Sequence, residues 1–240
     1  MPFAIETEKF SFRCFTFLCF GKYSYNRIRG GSMEYSFHIY NKLASDGVAM
    51  AADRLLRAHA QHKYNKTMGA GTSLTESLNQ KPPIIVCIGS DLAIGDSLGP
   101  ITGSMLKFKT QGLGVFLYGT LASPVTAKEI GYLRAFLKES HKGSQIIAVD
   151  AAVGSEGDIG LIKLNDSPLL PGAGANKKLG SIGDVSIMGV VAEKSLANYG
   201  LLNTTRLNLV YTMAEIISDG LAALLWERCS KLKGTVQKNA

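Results

Sequence analysis

Tryptophan occurs once in these 240 residues, and histidine and cysteine four times each. The cysteines, Cys14, Cys19, Cys87 and Cys229, form no C-x-x-C pair. That spacing argues against a disulfide framework and a zinc site, and it points to a reducing, cytoplasmic compartment. The histidines are His38, His59, His62 and His141, so no imidazole follows residue 141. Charge is unbalanced but not clustered. There are 26 Lys and Arg against 19 Asp and Glu, a formal +7, with no basic run and no interleaved aromatic stripe. Nucleic acid is therefore not the expected partner. No apolar run approaches the roughly 18 residues of a membrane span, so no membrane is expected either. The opening "FSFRCFTFLCFGKY" is too short in its apolar part, and too poor in a small-residue cleavage site, for a signal peptide. Residues 1–32 read instead as an upstream extension of the reading frame with little ordered structure.

What is present is a regular alternation. Spacing of Val48, Ala51, Leu55, Leu56 and Ala58 predicts an amphipathic helix over about 43–62, and a Gly, Ser, Thr and Asn-rich linker follows over 65–81. His59 and His62 fall on the polar side of that helix, where they suit its dipole or could ligate a metal. Apolar runs then predict strands at 84–89, 114–120, 144–151, 157–165 and 184–191. Helices are predicted at about 98–109, 125–140 and 204–229, and 169–183 reads as a loop. The division is an N-terminal helix and linker over 33–81, one α/β domain over 82–231, and a flexible tail over 232–240. Strands alternating with helices at this spacing imply an α/β fold, a mostly parallel central sheet with helices on both faces.

The acids stand out against this frame. "CIGSDLAIGDSLGP" ends a buried strand in a glycine-punctuated turn that carries Asp91 and Asp96, and "IIAVD" ends another strand in Asp150. If the first core strand is central, with the second and third on either side, Asp96 and Asp150 meet at the point where strand order reverses. Such a pair can activate water for attack on an amide. It can bind a divalent ion. It can also be structural, with Asp96 capping the next helix and Asp150 bonding loop amides. Asp91 is a third cleft acid or a turn residue. The loop "PGAGANKK" offers backbone N–H groups at Gly172 and Gly174, and polar contacts at Asn176 and Lys177, to a bound polypeptide. Lys128 and Glu129 read as solvated helix face, and Trp226 as core or as a seam between copies in a homo-oligomer. The Gly-rich turn lacks the G-x-G-x-x-G and G-K-[ST] spacings of nucleotide loops.

"CIGSDLAIGDSLGP", "YGTLASPVTA", "IIAVDAAVG", "PLLPGAGANKKL" and "NTTRLNLV", in this order, resemble the YyaC family of sporulation proteins over roughly 84–228. That family is in turn similar to germination proteases and hydrogenase maturation endopeptidases, which implies a three-layer phosphorylase/hydrolase-like fold. The "DSLGP" and "VDAAV" segments match the elements that carry both catalytic aspartates of germination proteases, so the resemblance implies catalytic roles for Asp96 and Asp150. The hydrogenase endopeptidases use a Glu and an Asp at these places with a later His to bind nickel. This chain has no such His. Where the family pattern carries a His, an Arg-Ser-Thr and a Cys, this chain has Thr126, Leu92-Ala93-Ile94 and Ala152.

The expectation is a sporulation-associated, peptidase-like hydrolase that cleaves a polypeptide with two aspartates and no resident cofactor. A divalent metal at Asp96 and Asp150 is left open. It would act in the cytoplasm of the forespore or the mother cell. The alternative is an inactive relative that binds or assembles a protein partner.

Overall fold

Residues Ile84 to Ile88 are apolar at every position because their side chains enter two different cores. Ile85 and Cys87 join one buried cluster, while Ile84, Val86 and Ile88 join another. A strand buried on both faces reads as a continuous apolar run rather than as an alternation. The computed structural model describes residues 26–27, 33–68, 82–171, 180–194 and 205–238. Among them lie strands β1 (Asn26–Arg27), β2 (Met33–His38), β3 (Ile84–Cys87), β4 (Leu117–Tyr118), β5 (Ile146–Gly154), β6 (Leu161–Asn165) and β7 (Val185–Glu193). The helices are α1 (Ala44–Met68), α2 (Leu98–Lys109), α3 (Ile130–Ser140) and α4 (Leu207–Lys238).

The strands form one mixed sheet in the order β1-β2-β6-β7-β5-β3-β4. β4, β3, β5 and β7 are parallel neighbours, and β6, β2 and β1 are added antiparallel in turn. Five strands (β2, β7, β5, β3 and β4) thus run one way, and β6 and β1 the other. The reversal expected at the first core strand is present, since β3 lies between β4 and β5. One face carries α1, α2 and α4, whose Val48, Leu55, Leu98, Leu106, Met213 and Ile217 share the larger core. The other carries α3 through Ile130, Leu133 and Leu137. The fold is therefore α/β, with helices on both faces of a mostly parallel sheet.

Several features depart from the sequence reading, among them α4, which runs to Lys238 where a flexible tail was expected from 232. β1 lies within residues 1–32, where little order was expected, and pairs Arg27 with Met33. β2 falls where only a helix and linker were expected, and it pairs Phe37 with Ile162 on β6. Its signal is the two-residue alternation of Met33, Tyr35 and Phe37, all of which touch the larger core. By length and composition alone, Leu207–Leu232 of α4 is long and apolar enough to cross a membrane. Its apolar side is occupied by protein, with Val210, Met213, Ile217, Leu221, Leu224 and Leu225 all buried in the core it shares with α1 and α2.

Candidate active site

The site begins where β3 stops. Ile88 donates its N–H to Val149 of β5 at 2.7 Å, and Gly89 donates to Val125 at 3.0 Å. These bonds pin the strand end between its two neighbours. Gly89 then turns the chain with φ of 139°, a conformation that side chains rarely tolerate. A Cβ there would also overlap the carbonyl oxygen of Asp96. The turn closes as Ser90 N–H donates to that carbonyl at 3.1 Å, and Ser90 Oγ accepts from Leu92 N–H at 3.2 Å. Ser90, not Asp91, is therefore the side chain that shapes the turn. Asp91 is exposed and makes no hydrogen bond among the described residues.

Asp96 sits in a single 3₁₀ turn, Gly95–Ser97, that leads into α2. It does not cap that helix. Ser97 occupies the cap position, no side chain bonds the first amides, and Ser97 Oγ donates back to Ile94 at 2.6 Å. Burial raises the Asp96 carboxyl above its ordinary range, against a smaller downward pull from the Ser90 amide. Asp150 comes from β5, opposite Met188 of β7. It retains some exposure, yet its carboxyl is set deep enough to be pushed well above the usual range. Burial is the main cause, and the negative charge of Asp96 adds to it. A single N–H, that of Ala151 at 2.8 Å, opposes this. The two acids, 54 positions apart in sequence, therefore come together beyond the end of β3 and midway along β5, where the charge of Asp96 reaches Asp150.

Two carboxyls that resist ionisation in one field can divide acid and base roles between them. They can also take up a cation. Among the described residues no group of three or more His, Cys, Asp or Glu could hold a metal, so an ion here would need water or substrate to complete its shell. His59 faces Asp184, with Nε2 3.4 Å from Oδ1, and His62 is exposed.

Thr126 follows Val125, which bridges to Ile88. Its N–H donates to Glu129 Oε2 at 2.9 Å, and its hydroxyl donates to the same oxygen. That hydroxyl bond is the main reason the exposed Glu129 carboxyl is held below its ordinary range. The T-x-x-E spacing of "TAKE" is the sequence signal for this tie, a capping-box pattern. Apolar side chains edge the turn. Leu92 is 92% and Ile94 38% exposed. Gly172, Gly174, Asn176 and Lys177 lie outside the described residues. Trp226 is half-exposed, and its Nε1 donates to the Lys109 carbonyl at the end of α2, at 3.1 Å.

A family model described as "Protein of unknown function (DUF1256)" matches residues 57–220. The YyaC protein of Bacillus subtilis (strain 168), itself uncharacterized, is 41% identical over 154 residues, which is 63% of this chain and 75% of that protein. No solved structure matches the chain.

Proposed function

Because the chain belongs to the DUF1256 family, which the resemblance above links to germination proteases, we propose that it is a sporulation-associated peptidase-like hydrolase with a phosphorylase/hydrolase-like fold. It acts on a polypeptide in the cytoplasm of a spore-forming cell. The observation that carries this reading is that the Gly89 turn brings Asp96 close enough to Asp150 for its charge to add to the burial that raises Asp150, while Asp96 is itself raised by burial.

The more strongly raised Asp150 keeps its proton and gives it to the scissile carbonyl oxygen. Asp96, as carboxylate, takes a proton from water while the water oxygen bonds to the carbonyl carbon. The tetrahedral carbon then loses its amine, which leaves with the proton held by Asp96, and Asp150 recovers its own from the collapsing oxygen. Asp91, at the rim, holds the polypeptide backbone.

The test is digestion of a peptide library by the purified protein, with new termini read by mass spectrometry. Cleavage should fall by about 10²–10⁴ in Asp96→Asn and in Asp150→Asn. Activity lost to a chelator and restored by one ion would move the chemistry to a metal held by the same pair. Cleavage that survives both substitutions sinks the proposal. A second reading, a non-catalytic binder, is favoured by the exposed Leu92 and Ile94 at the turn. Wild type that cleaves nothing, yet retains a polypeptide as well as both variants do, would establish it.

A further inference from the structure

Opposite the carboxylate edge, where β5 and β7 begin, α3 and the segment 181–183 border an open, groove-like cavity of about 540 Å³. Three cations line it: Arg134, Lys138 and Lys142. None has an ion-pair partner among the described residues. Among the described residues no carboxylate lines the cavity, and Ser144 and Ser181 add polar side chains to its wall. The nearest acid in sequence, Asp184, is committed elsewhere. Its Oδ2 accepts from Ile146 N–H at 2.8 Å, and its Oδ1 faces His59 of α1 on the other side of the sheet.

Part of this cationic row has an ordinary explanation, since positive charge near a helix C-terminus complements the dipole. That accounts for Lys138 and Lys142. It does not account for Arg134, which sits mid-helix with its guanidinium packed on Gly180, so closely that a Cβ there would overlap Nη1. Arg134 thus lies over the cavity against Gly180, and the lysines extend the row. Arg134 and Lys138 are about 6 Å apart along the helix axis, and Lys142 lies beyond. The row is long enough for separate cations to meet successive phosphates of a linked chain. The volume is of small-ligand size, and the apolar Leu137, Ile146 and Ile182 form part of the lining.

We propose that this cavity is a binding site for a small molecule carrying two or more linked phosphates, either an inorganic polyphosphate or the phosphate chain of a nucleotide. Arg134 fixes one phosphate with its planar fork, and Lys138 and Lys142 neutralise the rest.

The experiment is calorimetric titration of the full chain with inorganic triphosphate and, separately, with adenosine triphosphate. Both should bind saturably and weaken as salt rises. Replacing Arg134 with Gln should weaken binding about tenfold, and Arg134→Gln/Lys138→Gln/Lys142→Gln should abolish it. All three side chains are exposed, and an unchanged unfolding midpoint will show that the variants fold. Equal affinity for the two probes assigns the site to the phosphate chain, and tighter binding of the nucleotide adds a base on the apolar lining. Absence of saturation by both probes overturns the proposal. So does undiminished binding by the triple variant, or binding of heparin with neither probe.

Discussion

Gly89 has no side chain where a Cβ would collide with the carbonyl oxygen of Asp96. The turn that delivers the first acid of the site is therefore built around a missing atom. Gly89 also holds φ of 139°, so alanine there meets both strain and overlap. Gly89→Ala should cost at least about 3 kcal/mol, read as a lowered midpoint in urea unfolding. Gly131→Ala is the control. That glycine lies in α3 with open space where its Cβ would stand, and it should gain up to about 1 kcal/mol. Equal effects at the two positions would refute the steric account of the turn.

Asp150 makes stability depend on pH in a definite direction. Its carboxyl is raised by burial and by the charge of Asp96, so the folded state binds its proton more tightly than the unfolded chain does. That contribution is fully present below the unfolded value, about 3.9, and is lost as pH rises through the raised one. Asp150→Asn removes the titration. The variant should match wild type near pH 4 and exceed it toward pH 8 by about 1 kcal/mol, measured by thermal unfolding across pH. A difference that is constant with pH would contradict this.

Asp53 predicts the opposite slope. It joins α1 to α4, accepting from Arg228 Nε at 3.1 Å and Nη2 at 2.9 Å, and from Arg57 Nε at 2.6 Å. Burial pushes its carboxyl up, but Arg228 and then Arg57 outweigh that, and the net position is below the ordinary value. This stabilisation is present above the unfolded carboxylate range and is lost as pH falls through the depressed value. Arg228→Gln should cost about 1–2 kcal/mol at pH 7, between an exposed and a buried pair. The deficit should shrink toward pH 3 in the same unfolding measurement.

Phe37 secures β2. It is 4% exposed, and its ring lies where a Cβ on Gly47 of α1 would stand. Phe37→Ala should cost about 3–5 kcal/mol through the cavity it leaves, seen in chemical denaturation. A loss under 1 kcal/mol would mean that β2 contributes little to the core.

Much of the core was legible because its signals are local. Ile84 to Ile88 announces a doubly buried strand through its unbroken apolar run, and Ile130, Leu133 and Leu137 repeat at helical spacing on α3. β2 was missed although Met33, Tyr35 and Phe37 alternate. Six residues of alternation beside a long helix are a weak signal, and the partner strand β6 lies more than 120 positions away. Within the site, Asp96 and Asp150 were legible as acids of one sheet edge, although β5 continues past Asp150 to Gly154 rather than ending at it. Ser90 was not, because the choice between its hydroxyl and the neighbouring Asp91 depends on which side chain the Gly89 turn aims back at the Leu92 amide.

By itself the sequence determined which segments would be buried, where the chain would turn, and that Asp91 and Asp96 would follow the end of a buried strand. These follow from periodicity and from the restricted backbone of a few residues, and both act over short range. Only the tertiary structure decided that Asp96 and Asp150 share one field, that Asp53 ties α1 to α4, and that Arg134, Lys138 and Lys142 line one cavity at the far edge. Each depends on burial and on the distance between charges from different segments, and those quantities exist only once the sheet has set its strand order.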